Sequence, residues 1–150
     1  MNFCWVKKKV LLLMKEEGWK KFPNETGGIL LGYRKDRSAV VTQLVGPGPL
    51  AKHEQFGFTP DYGFHMSEVD RIFVESEGTE IYLGDWHTHP KGSTELSDLD
   101  IKCLDTVAKY KEAYNPNPLM LVLGGNLDRL GVYGYSKERK VTGLPYVLFS

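Results

Sequence analysis

Apolar Val10, Leu11, Leu13 and Met14 are set among lysines between Lys7 and Trp19, with Gly18 near the end of the run, a mixture that predicts an amphipathic helix rather than a strand. Beyond it the pattern changes. Thr26 to Tyr33 and Ala39 to Val45 are short apolar runs divided by the charged turn Arg34 to Arg37, which predicts a hairpin. Gly46-Pro47-Gly48-Pro49 breaks the second run, and no period is visible through Lys52, His53 and Phe56 to Pro60, so this stretch is expected to be a long loop. Between Asp61 and Glu75, Phe64, Val69, Ile72 and Phe73 recur at roughly helical spacing and predict a second helix. Glu80 to Trp86 predicts a strand. Ser97 to Tyr114 predicts a third helix with Ile101, Leu104, Val107 and Ala108 on one face, terminated by Asn115-Pro116-Asn117-Pro118. Further strands are expected at Leu119 to Leu123, Leu130 to Tyr135 and Tyr146 to Phe149. Helices interspersed with strands and hairpins predict a layered α/β domain, a mixed sheet flanked by helices, spanning residues 1–150 with no repeat or linker.

Composition narrows the classes. The 150 residues suit one core, and an apolar fraction of 41% with 25% charged residues is ordinary for a globular chain. Nineteen basic residues balance nineteen acidic ones, which leaves no net field to draw the protein to phosphate backbones or anionic lipid. Nucleic acid and membrane are therefore poor partners. The basic-then-apolar start has only five residues between Lys9 and Lys15, short of the roughly 7–15 of a signal-peptide core or the about 20 of a membrane span. A cytoplasmic location is expected, where Cys4 and Cys103 remain thiols.

The chemistry concentrates in Asp85-Trp86-His87-Thr88-His89-Pro90 and the residues that follow it to Asp100. Side chains two apart on a strand face the same way, so His87 and His89 can aim both imidazoles at one point. Pro90 closes the strand, Lys91 to Leu96 returns the chain, and Ser97 is placed to cap the third helix with Asp100 in its first turn. A carboxylate there supplies a third ligand and leaves a fourth position open, the arrangement of catalytic rather than structural zinc. Taken singly, each feature has a plainer reading. The His-x-His pair could be two surface imidazoles, Ser97-x-x-Asp100 a helix cap with a favourable acid, and Glu25 an exposed acid before a glycine-rich strand. Outside this segment, His53 and His65 read as surface or loop histidines, Cys103 as a buried structural thiol, and Tyr82 and Trp86 as packing residues.

Joined in one order, His87-x-His89-Pro90, six residues, and Ser97-x-x-Asp100 resemble the signature of the JAB/JAMM, or MPN-domain, zinc metalloproteases. Glu25-Thr26-Gly27-Gly28-Ile29-Leu30-Leu31-Gly32 resembles the family's other landmark, which supplies the catalytic glutamate. The resemblance implies a cytidine-deaminase-like α/β fold and a zinc ion (Zn2+) held by His87, His89 and Asp100. It also implies that Glu25 takes a proton from water and delivers it to the leaving amine, and that Ser97 hydrogen-bonds the oxyanion. The implied substrate is a ubiquitin-like protein or its conjugate, cut after the ubiquitin-like C-terminus. Gly46 to His53 and Phe58 to Asp61 further resemble bacterial single-domain JAB proteins encoded beside E1-like and E2-like enzymes in CBASS and related anti-phage operons. That likeness implies a deconjugating or precursor-processing role with those enzymes as partners. Two other expectations stand beside it: the same site could process a sulfur-carrier protein or a small amide, or the domain could be a non-catalytic MPN scaffold. The presence of Glu25, His87, His89 and Asp100 together argues against the scaffold.

Overall fold

Strand β1 (Phe3–Lys7) runs directly into helix α1 (Lys8–Lys21) in the computed structural model, which describes residues 3–150. The expected hairpin follows as β2 (Gly27–Lys35) and β3 (Ser38–Val45), then a small pair, β4 (Lys52–Glu54) and β5 (Gly57–Thr59). Helix α2 (Tyr62–Glu75), strand β6 (Ile81–Pro90) and helix α3 (Asp98–Lys109) come next, with a 3-10 turn over Lys111–Ala113. The chain finishes in β7 (Leu119–Gly125), β8 (Arg129–Ser136), β9 (Lys140–Gly143) and β10 (Tyr146–Phe149). Eight strands form one mixed sheet in the order β10-β1-β3-β2-β6-β7-β8-β9, and β4 and β5 form a separate two-stranded sheet. The α/β class with a mixed sheet flanked by helices is therefore the observed one.

Several boundaries differ from the sequence pattern, each for a physical reason. Strand β1 is not predicted by it, because five residues alternating half-buried Phe3 and Trp5 with buried Cys4 and Val6 precede the lysine run that signals the helix. The stretch from Gly46 to Pro60 is not all loop: β4 and β5 are three residues each, too short for a period to show. Strand β6 continues past Trp86 to Pro90 because it stays paired in parallel with β7 as far as Pro90 opposite Gly125. Helix α3 stops at Lys109 rather than Tyr114. There the backbone turns extended at Tyr110, and the buried Asn115 donates to the Leu83 carbonyl at 2.9 Å and accepts from Arg34 at 2.8 Å, which draws the chain down onto the sheet. Strand β9 is likewise absent from the sequence pattern. Phe73 and Ile101, expected on the packed faces of their helices, are exposed, because Ile72 and Leu104 take the buried positions.

The sheet is covered on both sides. Val10, Met14 and Gly18 of α1 recur every four residues and pack beneath the sheet with Leu30, Val41, Trp86, Leu121 and Leu123. On the opposite face, α2 seats Ile72 on Ile29, Leu31 and Val45, while α3 seats Leu104 on Met120, Val122 and Tyr135. The C-terminal end of β6 thus emerges on the α2 and α3 side, flanked by an antiparallel neighbour, β2, and a parallel one, β7. Because β2 runs the other way, its beginning lies at the end of the sheet where β6 finishes.

Candidate metal centre

Residues 85, 87 and 89 of β6 share a face, and His87 and His89 bring their Nε2 atoms to within 2.9 Å of each other. Asp100 comes to them from α3. Its Oδ2 stands 3.2 Å from the His87 Nε2 and 3.4 Å from the His89 Nε2. Ligands about 2.0–2.1 Å from a tetrahedral zinc are about 3.3 Å apart, so the three donor atoms fit that edge length. The His89 ring is oriented from behind, its Nδ1–H donating to the Ser93 carbonyl at 3.0 Å, which leaves Nε2 to face the other two donors. Three donors with an open side could hold a metal ion.

The position of Asp100 follows from its helix terminus. Ser97 Oγ accepts from the Asp100 N–H at 3.1 Å, and Asp100 Oδ2 accepts from the Ser97 N–H at 2.9 Å. This is the capping box anticipated from the sequence, and the oxygen that completes it is also the one that faces both imidazoles. Burial works against ionisation of Asp100, but hydrogen bonds from His87 and His89 and the Ser97 backbone hold its carboxyl far below the usual carboxylate range. His89 is raised in return, first by its hydrogen bond to Asp100.

Glu25 reaches the same place along the neighbouring strand. Gly27 lies opposite His87 in the β2–β6 ladder, and the Thr88 N–H donates to the Thr26 carbonyl at 2.9 Å, so one further step brings Glu25 level with His89 on the same face. Burial raises the Glu25 carboxyl above its ordinary value, with His87 and His89 partly offsetting this and Asp100 adding to it. The glycines after it are sterically required. A Cβ at Gly27 would lie 2.4 Å from the Trp86 carbonyl, and one at Gly28 would lie 1.9 Å from the Val45 carbonyl. Trp86 is a packing residue as expected, buried and donating Nε1–H to that same Val45 carbonyl at 3.0 Å. Tyr82 likewise packs against the α2 core cluster.

Glu25, His87, His89, Ser97 and Asp100 are all brought to one end of the sheet. Other expectations are corrected. His65 is not a surface histidine but is buried on α2, where its Nε2–H donates to the Gly46 carbonyl at 2.8 Å. Cys103 is exposed rather than buried, since Leu104 takes the inward position of that turn. His53 is half-buried beside the site, with Nδ1 3.0 Å from the Glu25 carbonyl. Asp85, not singled out by the sequence reading, shares the ligand face and accepts from the Tyr82 hydroxyl at 2.8 Å; burial raises its carboxyl. Its alternation with His87 and His89 was the available signal. The partners supplied by backbone carbonyls, such as that of Ser93, leave none.

Comparison with known proteins gives a consistent picture. The profile of prokaryotic homologs of the JAB domain matches residues 7–134. A probable metalloprotease of Sinorhizobium fredii is 37% identical over 126 residues, covering 83% of this chain and 77% of that protein. A CD-NTase/cGAS isopeptidase of Escherichia coli is 36% identical over 78 residues, which span 52% of this chain and 50% of that relative. Among solved structures, a Desulfitobacterium hafniense protein determined in solution matches with a TM-score of 0.76 at 18% identity, covering 99% of this chain and 94% of that one, a likeness of fold.

Proposed function

We propose, from the premise that the chain belongs to the JAB family as one of its prokaryotic homologues and is a JAMM-type metallopeptidase, that it is a zinc-dependent isopeptidase cutting after the C-terminus of a ubiquitin-like protein. The observation that carries this reading is the meeting of His87, His89 and Asp100 from two separate elements, with Glu25 just before the paired strand β2 beside them. His87, His89 and Asp100 would hold the zinc, which would supply Lewis acidity and an activated water. Glu25 accepts the proton of the attacking water and hands it to the departing amine, a general base and then a general acid. The Ser97 Oγ already accepts from the Asp100 N–H, so its own O–H is left to donate to the carbonyl oxygen as that oxygen gains charge.

The tail of the ubiquitin-like protein lies extended between the Lys91 to Leu96 loop and the Gly46 to Phe58 segment, held by backbone hydrogen bonds, with glycine at the cut because only a narrow chain approaches both ligands and base. The first of these walls is firm: the Lys91 N–H donates to the Gly125 carbonyl at 2.7 Å and the Tyr133 hydroxyl to the Thr94 carbonyl at 2.7 Å. The name of the Escherichia coli relative, a CD-NTase/cGAS isopeptidase, supports an isopeptidase activity on a protein conjugate. A cytoplasmic place in an anti-phage conjugation system, with E1-like and E2-like enzymes as partners, belongs to the same proposal and rests on the likeness of Gly46 to His53 and Phe58 to Asp61. Among the described residues no helix is long and apolar enough to cross a membrane.

The test is a ubiquitin-like protein joined through a glycine-ended tail to a fluorogenic amine. Release is expected from the zinc-loaded enzyme, lost on chelation, restored by zinc and absent in Glu25→Gln. Equal release by the chelated enzyme would sink the metallopeptidase mechanism, and cleavage confined to small amides or a sulfur-carrier tail would move the substrate to those classes.

A further inference from the structure

The main chain at Glu25 sits outside the sheet proper. It follows the turn in which the Asn24 N–H donates to the Lys21 carbonyl, and it precedes β2, which begins at Gly27. Backbone at a strand end frays unless something else ties it down. Here the β4–β5 hairpin does so from both sides of the residue. The Glu25 N–H donates to the Glu54 carbonyl at 2.8 Å, and His53 Nδ1 lies 3.0 Å from the Glu25 carbonyl. A carbonyl can only accept, so Nδ1 carries the proton of this bond.

The imidazole is itself held. Its ring lies against Phe58 across the hairpin, with centroids 5.3 Å apart, and His53 and Phe58 are direct partners in the β4–β5 ladder. Phe58 in turn rests on Gly27, where an added Cβ would come within 3.0 Å of its ring edge. The bare glycine opposite His87 therefore admits both the ligand strand and the hairpin. Base, hairpin and ligand strand are packed as one unit through Gly27.

We infer that His53 is a positioning residue for Glu25, a role that rests on Glu25 being the base. The Glu54 carbonyl fixes the peptide before the Glu25 Cα, and His53 fixes the carbonyl side of the peptide after it, whose N–H is held by Thr88 Oγ1 at 3.0 Å; together they set the direction in which the carboxylate leaves the backbone. A misplacement of about 1 Å at a reacting group is enough to reduce rate by about 10²-fold. The hydrogen bond of His53 goes to the Glu25 carbonyl and its ring lies against Phe58, so its loss should act on turnover and leave the metal in place. A two-sided backbone clamp also distinguishes His53 from residues that only stabilise the hairpin, because the group it supplies is one N–H at one position.

The experiment compares His53→Ala with His53→Asn, whose amide N–H can take the place of Nδ1–H. In the metal-free protein, exchange of the Glu25 amide should accelerate about tenfold in His53→Ala and far less in His53→Asn, while the Thr88 amide stays protected. With zinc bound, kcat should fall about tenfold to a hundredfold in His53→Ala with KM and zinc affinity within about threefold of wild type, and His53→Asn should recover most of the loss. Unchanged Glu25 exchange in His53→Ala overturns the inference, as does an Asn variant as impaired as Ala. If the wild-type enzyme cleaves no ubiquitin-like tail, the substrate reading fails while the exchange measurement still decides whether His53 holds the base.

Discussion

Thr26 and Thr88 lock the segment that carries Glu25 to the strand that carries the two histidines: the Thr88 N–H donates to the Thr26 carbonyl at 2.9 Å, and the Thr26 N–H donates to Thr88 Oγ1 at 3.0 Å. Both residues are fully buried, so neither bond is open to replacement by water. The two threonines are nonetheless unequal. Thr88 Oγ1 is an acceptor in use, whereas Thr26 Oγ1 is buried without a hydrogen-bond partner among the described residues.

Thr88→Val should therefore strand the Thr26 N–H and cost about 1–3 kcal/mol, whereas Thr26→Val removes an unpaired hydroxyl and should be neutral or stabilising by up to about 1 kcal/mol. Thermal unfolding of the metal-free variants separates the two, at about 2–4 °C per kcal/mol for a chain of this size. Equal shifts in both variants would mean that the strands are not joined as described.

His89→Ala takes one donor from a set of three and should abolish tight zinc binding. Chelation should lower the Tm of wild type, because a ligand that binds only the folded state stabilises it by RT ln(1 + [L]/Kd), and should leave the Tm of His89→Ala unmoved. Undiminished zinc in that variant by elemental analysis would remove His89 from the ligand set.

Glu25→Gln should keep zinc and lose about 10²–10⁴ in turnover, because the amide cannot accept a proton. It should also raise the Tm of the metal-free protein at neutral pH. Burial lifts the folded-state pKa of Glu25 above its unfolded value, so the folded state is favoured below the unfolded value and loses that advantage as pH rises through the folded one. Glutamine never ionises and escapes the loss. The gap between the two melting temperatures should close as the pH is lowered below the ordinary glutamate pKa, and a gap that widened there would contradict the sign.

Gly28→Ala places a methyl 1.9 Å from the Val45 carbonyl and 2.8 Å from Trp86 Nε1, the two groups that bond to each other. The strain should cost about 1–3 kcal/mol. Gly143→Ala meets nothing within 4 Å and should stay within about 0.5 kcal/mol of wild type, which makes it the control in denaturant unfolding.

The sequence pattern marks His87, His89, Ser97 and Asp100 as a candidate set because the spacing within each element is local information. Two histidines at strand spacing face one way, and a serine three residues before an aspartate caps a helix, whatever the rest of the chain does. It also determined the three helices and the main hairpin, whose apolar patterns are long enough to show a period. How Glu25 joins the site is set by the fold, since that depends on β2 and β6 pairing antiparallel over residues about sixty apart in the chain. Strands β1, β4, β5 and β9 were decided in the same way: each has five residues or fewer and is held by partners elsewhere rather than by its own pattern. His65 turns inward to donate to the Gly46 carbonyl and Cys103 outward because Leu104 takes the buried position of that turn, and a histidine carries the same letter in sequence whether it faces water or clasps a carbonyl. The hydrogen bonds that orient His89 and Glu25 run through the backbone of Ser93 and Glu54, where any residue offers the same carbonyl; their placement is a property of the folded chain alone.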